Sequence, residues 1–180
     1  MSGNENDIGK LAYSANVKEL MEAPQACMNK RYWLSAAKLI YSGIDNLAWL
    51  SRQQSEPNVR RADFIEWVNQ YLLPDSSLHC TADELYGARC GLLHANVAES
   101  DRTRMGAFRQ ICYSTGASDP KDAYKHIRQE RYKYNVIVHI KDLCDAYLSG
   151  IKKFNSRLDQ DPGFASVIYE RSNKLFAEIP

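Results

Sequence analysis

Residues 80–95 read Cys80-Thr81-Ala82-Asp83-Glu84-Leu85-Tyr86-Gly87-Ala88-Arg89-Cys90-Gly91-Leu92-Leu93-His94-Ala95. Thr81-x-x-Glu84 has the form of a capping box: the Thr81 hydroxyl can accept from the Glu84 amide while the Glu84 carboxylate reaches back to the Thr81 amide. A helix therefore starts at this point. Cys80 before the cap and Leu85 inside it are placed to form an apolar staple that sets the entry angle. Gly87 and Gly91 then stand mid-helix, where each costs about 1 kcal/mol against alanine. With Ala88, Ala95 and Ala98 they form a small-residue face that lets another backbone approach closely. Two chemistry-bearing side chains, Arg89 and His94, lie in the same stretch.

Working outward, the flanking sequence is mostly helical in period. From 29 to about 54, Trp33, Ala37, Ile40, Ile44 and Leu47 recur at three and four residues, the spacing of one buried helix face. Asp45 stands off that stripe near Tyr41 and Trp49. Phe64, Trp67, Val68, Tyr71 and Leu72 make a second helix that stops at Pro74. Beyond the motif, 108–113 and 135–140 read as short strands pairing in a small ribbon. A helix opened by Asp119-Pro120 separates them. Helices return from 141 to about 158, through Leu143, Tyr147, Ile151, Phe154 and Leu158, and again after Asp161-Pro162. At the other end, residues 1–10 read as a mobile tail, followed by a short helix that ends before Pro24, because the residue before proline avoids helical geometry. The expected fold class is mainly α: a helical bundle with a minor short β ribbon, with residues 1–28 as tail and short helix and 29–180 as one domain.

Composition sets limits on function. At 180 residues one domain buries an adequate core without disulfide staples. Lys plus Arg total 23 against 22 acids, so any affinity for nucleic acid has to come from a local patch. Residues 102–133 supply the one local excess, eight cations against three acids, interleaved with tyrosines that include Tyr113 and Tyr124. A solvated helix face explains the same pattern. Five scattered cysteines, with no Cys-x-x-Cys pair, fit reduced thiols in a cytoplasmic protein. No apolar run reaches the ~18 residues of a membrane span, and the opening residues lack a signal core.

Arg89-Cys90-Gly91-Leu92-Leu93-His94, in a capped helix preceded by two aromatic-rich helices, resembles the motif of the HEPN superfamily (higher eukaryote and prokaryote nucleotide-binding domains), over roughly residues 31–155. Its RNase members carry Arg, four to six residues, then His near a helix end. The resemblance implies a HEPN-like bundle and metal-independent cleavage of single-stranded RNA, with Arg89 and His94 catalytic and no cofactor. It also implies a supporting role for Asp45, in Tyr41-Ser42-Gly43-Ile44-Asp45-Asn46, which would orient Arg89 or fix the His94 tautomer. Partners implied are RNA, a second copy of the chain, and an antitoxin or nucleotidyltransferase-like protein, since many relatives act as toxins or in phage defence. In the family the residue after the arginine is usually polar; Cys90 stands there here, and this favours the alternative of a catalytically inactive HEPN domain that binds nucleotide, RNA or a protein partner.

The chemistry suits these residue types. An imidazole can take the proton of a ribose 2′-OH near neutral pH. A guanidinium can hold the phosphate through two parallel hydrogen bonds while charge builds. Five residues at about 100° each, however, set Arg89 and His94 about 140° apart around the helix axis. Convergence then needs either His94 at a helix end or two helices paired along the glycine face in a twofold homodimer. Other readings of the same residues stay open. Arg89 can be a surface ion-pairing residue, His94 a helix C-terminal histidine stabilised by the dipole, and Asp45 a solvated acid. Cys90 with His94 could be an activated thiolate, or a zinc site with His79 or Cys80, although a free cysteine is more often a compact apolar filler.

Overall fold

A computed structural model describes residues 2–53, 57–95, 106, 108–116 and 135–175. Six helices and two strands lie among them: α1 (Ser2–Asn29), α2 (Trp33–Ser51), α3 (Arg61–Trp67, running into a π turn over Val68–Leu72), α4 (Ala82–Ala95), β1 (Gln110–Ser114), β2 (Asn135–His139), α5 (Ile140–Gln160) and α6 (Pro162–Ser172). The fold is mainly helical with a small two-stranded sheet. No helix among the described residues is long and apolar enough to cross a membrane.

The apolar stripes read from the sequence are the faces that meet. Ala37, Ile40, Ile44 and Leu47 of α2 are buried, with Phe64, Trp67, Val68, Tyr71 and Leu72 of α3 and its π turn. The inward row of α5, Leu143, Tyr147, Ile151, Phe154 and Leu158, packs into the same core. Trp67 lies among rings, its centroid 5.6 Å from Tyr71 and 6.5 Å from both Tyr147 and Phe154. Asp161 caps α6 by accepting from the Phe164 amide at 2.9 Å, and Arg171 of α6 reaches back to donate to the Leu50 and Arg52 carbonyls at the end of α2. A buried guanidinium thus satisfies carbonyls that a helix end leaves open.

Two expectations are corrected. Residues 2–29 form one 28-residue helix with Pro24 inside it, in place of a mobile tail and a short helix stopped by proline. Proline costs a helix interior about 3 kcal/mol, and tertiary packing offsets it here. Tyr13 and Val17 are buried, Leu20, Met21 and Met28 pack against the core, and the Tyr13 hydroxyl donates to Asn155 Oδ1 at 2.6 Å. At Gly9 the helix touches α6 so closely that a Cβ would stand 2.0 Å from the Tyr169 carbonyl oxygen. The two short strands do pair as expected, and they run parallel, Gln110 with Asn135 through Ser114 with His139. A parallel pair cannot be joined by the tight turn of a hairpin. The helix expected after Asp119-Pro120 lies outside the described residues. Lastly, Gly87, Ala88 and Gly91 are buried within the single chain, so a twofold contact running glycine to glycine has no open face.

Candidate functional site

The capping box forms as its spacing requires. The Thr81 amide donates to Glu84 Oε2 at 2.8 Å, and the Glu84 amide donates to the Thr81 hydroxyl at 3.2 Å. Cys80 and Leu85 are both buried beside it. With its start fixed and Leu85, Ala88 and Leu92 turned into the core, α4 has no rotational freedom left. Arg89 is thereby held at the rim facing α2, where Asp45 stands off the buried stripe.

Asp45, Arg89 and His94 come together within one chain. Arg89 donates to Asp45 Oδ2 through Nε at 2.8 Å and through Nη2 at 2.6 Å. Its remaining nitrogen, Nη1, lies 3.4 Å from His94 Nε2. In the tautomer that leaves Nε2 unprotonated, Arg89 donates to it. The angular separation of about 140° is overcome by the first of the two routes: His94 sits in the last turn of α4, and the long arginine side chain spans the rest. Asp45 therefore engages two of the three guanidinium nitrogens, leaving Nη1 toward His94.

Burial sets the electrostatics of the pair, since each side chain is 19% exposed. Burial raises the Asp45 carboxyl above its ordinary range, opposed by Arg89 and then His94. Burial also works against the Arg89 charge, but Asp45 and Cys90 outweigh it and the guanidinium stays protonated more firmly than a free one. His94 is exposed. A fixed cation beside a reachable imidazole can bind a phosphate oxygen and accept a proton next to it.

Cys90 is half-buried beside this group, its thiol interacting with the side chains of both Tyr86 and Arg89. Cys80 is buried and its thiol pushed up to about 12 by that burial, which suits an apolar filler and not a thiolate. All five cysteines are free. Among the described residues no three His, Cys, Asp or Glu side chains gather as a metal ion would need.

Two members of the basic, tyrosine-rich segment are described, and both are engaged elsewhere. Arg109 donates to Glu84 Oε1 at 2.6 Å and Oε2 at 3.1 Å. The Tyr113 hydroxyl meets that of buried Tyr41 at 2.6 Å, so it does not stand open to stack on a base. Sequence reasoning missed the surroundings of Tyr86. Its ring packs edge-on against Phe64 with centroids 5.4 Å apart, and the Arg89 guanidinium lies 5.9 Å from its centre. Arg61 of α3 lies 5.8 Å from the same ring and pairs with Asp83. Local spacing gives no sign of these contacts; the only hint is that Tyr86 and Arg89 stand three apart on one helix.

Comparison with family models, with characterised proteins and with solved structures gave no match for this chain.

Proposed function

We propose that this chain is a metal-independent endoribonuclease of the HEPN type, acting on single-stranded RNA in a reducing, cytoplasmic compartment. The observation that carries the reading is the 3.4 Å approach of Arg89 Nη1 to His94 Nε2 with Asp45 clamping the guanidinium from behind. His94 takes the proton of a ribose 2′-OH as that oxygen attacks the adjacent phosphorus. The bond from phosphorus to the 5′-oxygen breaks, and the leaving oxygen takes a proton from water. Arg89 stabilises the charge that builds on the phosphoryl oxygens. Products are a 2′,3′-cyclic phosphate and a 5′-OH end, and DNA, lacking the nucleophile, is inert.

One chain supplies all three side chains, so a second copy is not needed to complete the set. A homodimer remains part of the proposal, through a face other than Gly87 and Gly91, and mass measurement in solution tests it. An antitoxin or nucleotidyltransferase-like partner, and a role as toxin or defence effector, rest on the resemblance alone.

A fluorogenic single-stranded RNA incubated with chelator tests the activity. Arg89→Ala and His94→Ala are each expected to lose at least about a hundredfold in rate. Wild-type rates in both variants would remove the assignment. Cys90 favours a second reading, an inactive HEPN domain that binds RNA, nucleotide or protein at the same place. Retained RNA binding with no cleavage would support it.

A further inference from the structure

Resting on the nuclease reading, we propose that Arg61 and Tyr86 extend the site into a track for single-stranded RNA, with Arg61 holding a phosphate one or two nucleotides from the one at Arg89. The Tyr86 ring links the two cations. The Arg89 guanidinium carbon lies 5.9 Å and that of Arg61 5.8 Å from its centre, so they are separated by no more than about 12 Å. One or two nucleotides of an extended strand cover that span. Beyond Arg61 comes a second ring, Phe108, whose centre is 5.6 Å from the same guanidinium. Cations alternating with half-buried aromatic rings are what a sequence-tolerant single-strand site uses, phosphates going to the cations and base faces to the rings.

Arg61 differs from the other arginines that meet acids around α4. Arg109 spends two nitrogens on Glu84 and Arg89 two on Asp45. Arg61 meets Asp83 through Nη2 alone, and its buried Nε–H has no hydrogen-bond partner among the described residues. Its side chain is 35% exposed and that of Asp83 37%. A half-solvated, singly bonded ion pair is weak, and a phosphate can take the cation from Asp83. Asp83 is therefore a competing anion as well as a partner, which makes the track testable in both directions.

The test is binding of 2′-O-methyl oligouridylates of two, four and eight nucleotides, which cannot be cleaved, by fluorescence anisotropy over a range of KCl concentrations. Removing one phosphate contact lowers the slope of log K against log salt by about 0.7 for a single strand. Arg61→Ala is expected to show that loss and to bind the octamer about tenfold more weakly, with the dinucleotide unchanged. Arg61→Lys keeps the wild-type slope, and Asp83→Asn, which frees the cation, binds the octamer more tightly. A wild-type slope and length dependence in Arg61→Ala overturns the track. So does weaker binding in Asp83→Asn, because a pair that only ties α3 to α4 is damaged from either side; this variant decides the matter if Arg61→Ala does not fold. Wild-type protein that binds with the predicted length dependence but cleaves no RNA removes the nuclease reading and leaves the track. Wild-type cleavage with an unaltered Arg61→Ala slope does the reverse.

Discussion

Removing Asp45 should release Arg89, and the size of the effect follows from the burial of the pair. Both Arg89 bonds end on the same carboxylate oxygen, at 2.8 and 2.6 Å, and each side chain is 19% exposed. Stranding one member of a fully buried pair costs about 3–5 kcal/mol; with a fifth of each side chain in water, Asp45→Ala should cost about 2 kcal/mol. Burial of Asp45 outweighs the pull of Arg89 on its proton, so desolvation consumes part of the attraction. Removing both partners should then cost clearly less than the two single losses together. The assay is urea unfolding of wild type, Asp45→Ala, Arg89→Ala and the double variant. With a slope of about 2 kcal/mol per molar urea, the Asp45→Ala midpoint falls by about 1 M. The expected coupling is about 2 kcal/mol, and a value under about 0.5 kcal/mol, typical of exposed pairs, would refute the idea that Asp45 holds Arg89. The sign of the pH dependence follows as well. With its folded pKa raised, Asp45 contributes stability below its unfolded value that is lost as pH rises through the folded one. Asp45→Asn, fixed in the neutral form, should gain on wild type as pH rises from the acid range to neutrality.

Glu84 should behave oppositely. Burial pushes its carboxyl up, but hydrogen bonds from Arg109 and Thr81 outweigh this and hold it below the ordinary range, so its contribution is present above the unfolded value and lost as pH falls through the folded one. Glu84→Gln should cost about 1–2 kcal/mol at pH 7 and flatten the acid limb of the stability profile; an unchanged acid limb would contradict this. Gly9→Ala puts a methyl 2.0 Å from the Tyr169 carbonyl oxygen, and overpacking of that kind should cost about 1–3 kcal/mol. A thermal midpoint equal to wild type would show that α1 does not dock on α6 there. The buried Tyr147 hydroxyl has no hydrogen-bond partner among the described residues and lies 1.9 Å from where a Gly43 Cβ would be. Tyr147→Phe should therefore be neutral or stabilising by up to about 1 kcal/mol in the same urea assay, whereas a loss above 1 kcal/mol would reveal a partner for that hydroxyl.

What the sequence made legible was local. Thr81-x-x-Glu84 names its own hydrogen bonds, and the rows through Ile40 and Ile44 in α2 and Tyr147 and Ile151 in α5 name their buried faces, because period and capping are set within a few residues. Asp45 stood visibly off such a row, but its link to Arg89 was implied by the resemblance and not by the spacing. Pro24 misled for the same reason: its cost is local, whereas the contacts of Tyr13 and Gly9 that help offset it come from α5 and α6, far along the chain. Gly87 and Gly91 announce a close neighbour without saying whether it belongs to this chain or to a second copy. Their burial within the chain answers that. Arg61 and Glu84 each find a partner more than twenty residues away, beyond any periodic signal.

The nature of the RNA ends decides most directly whether Arg89 and His94 form a nuclease site. Purified wild-type protein is incubated in EDTA with a single-stranded oligoribonucleotide and with its all-deoxy counterpart, and the fragments are weighed by mass spectrometry beside those from His94→Ala. A 2′,3′-cyclic phosphate and a 5′-OH from RNA, an intact deoxy strand and no cleavage by His94→Ala are predicted. Fragments bearing 3′-OH and 5′-phosphate ends, or cutting of the deoxy strand, would contradict attack by the 2′-OH at this site.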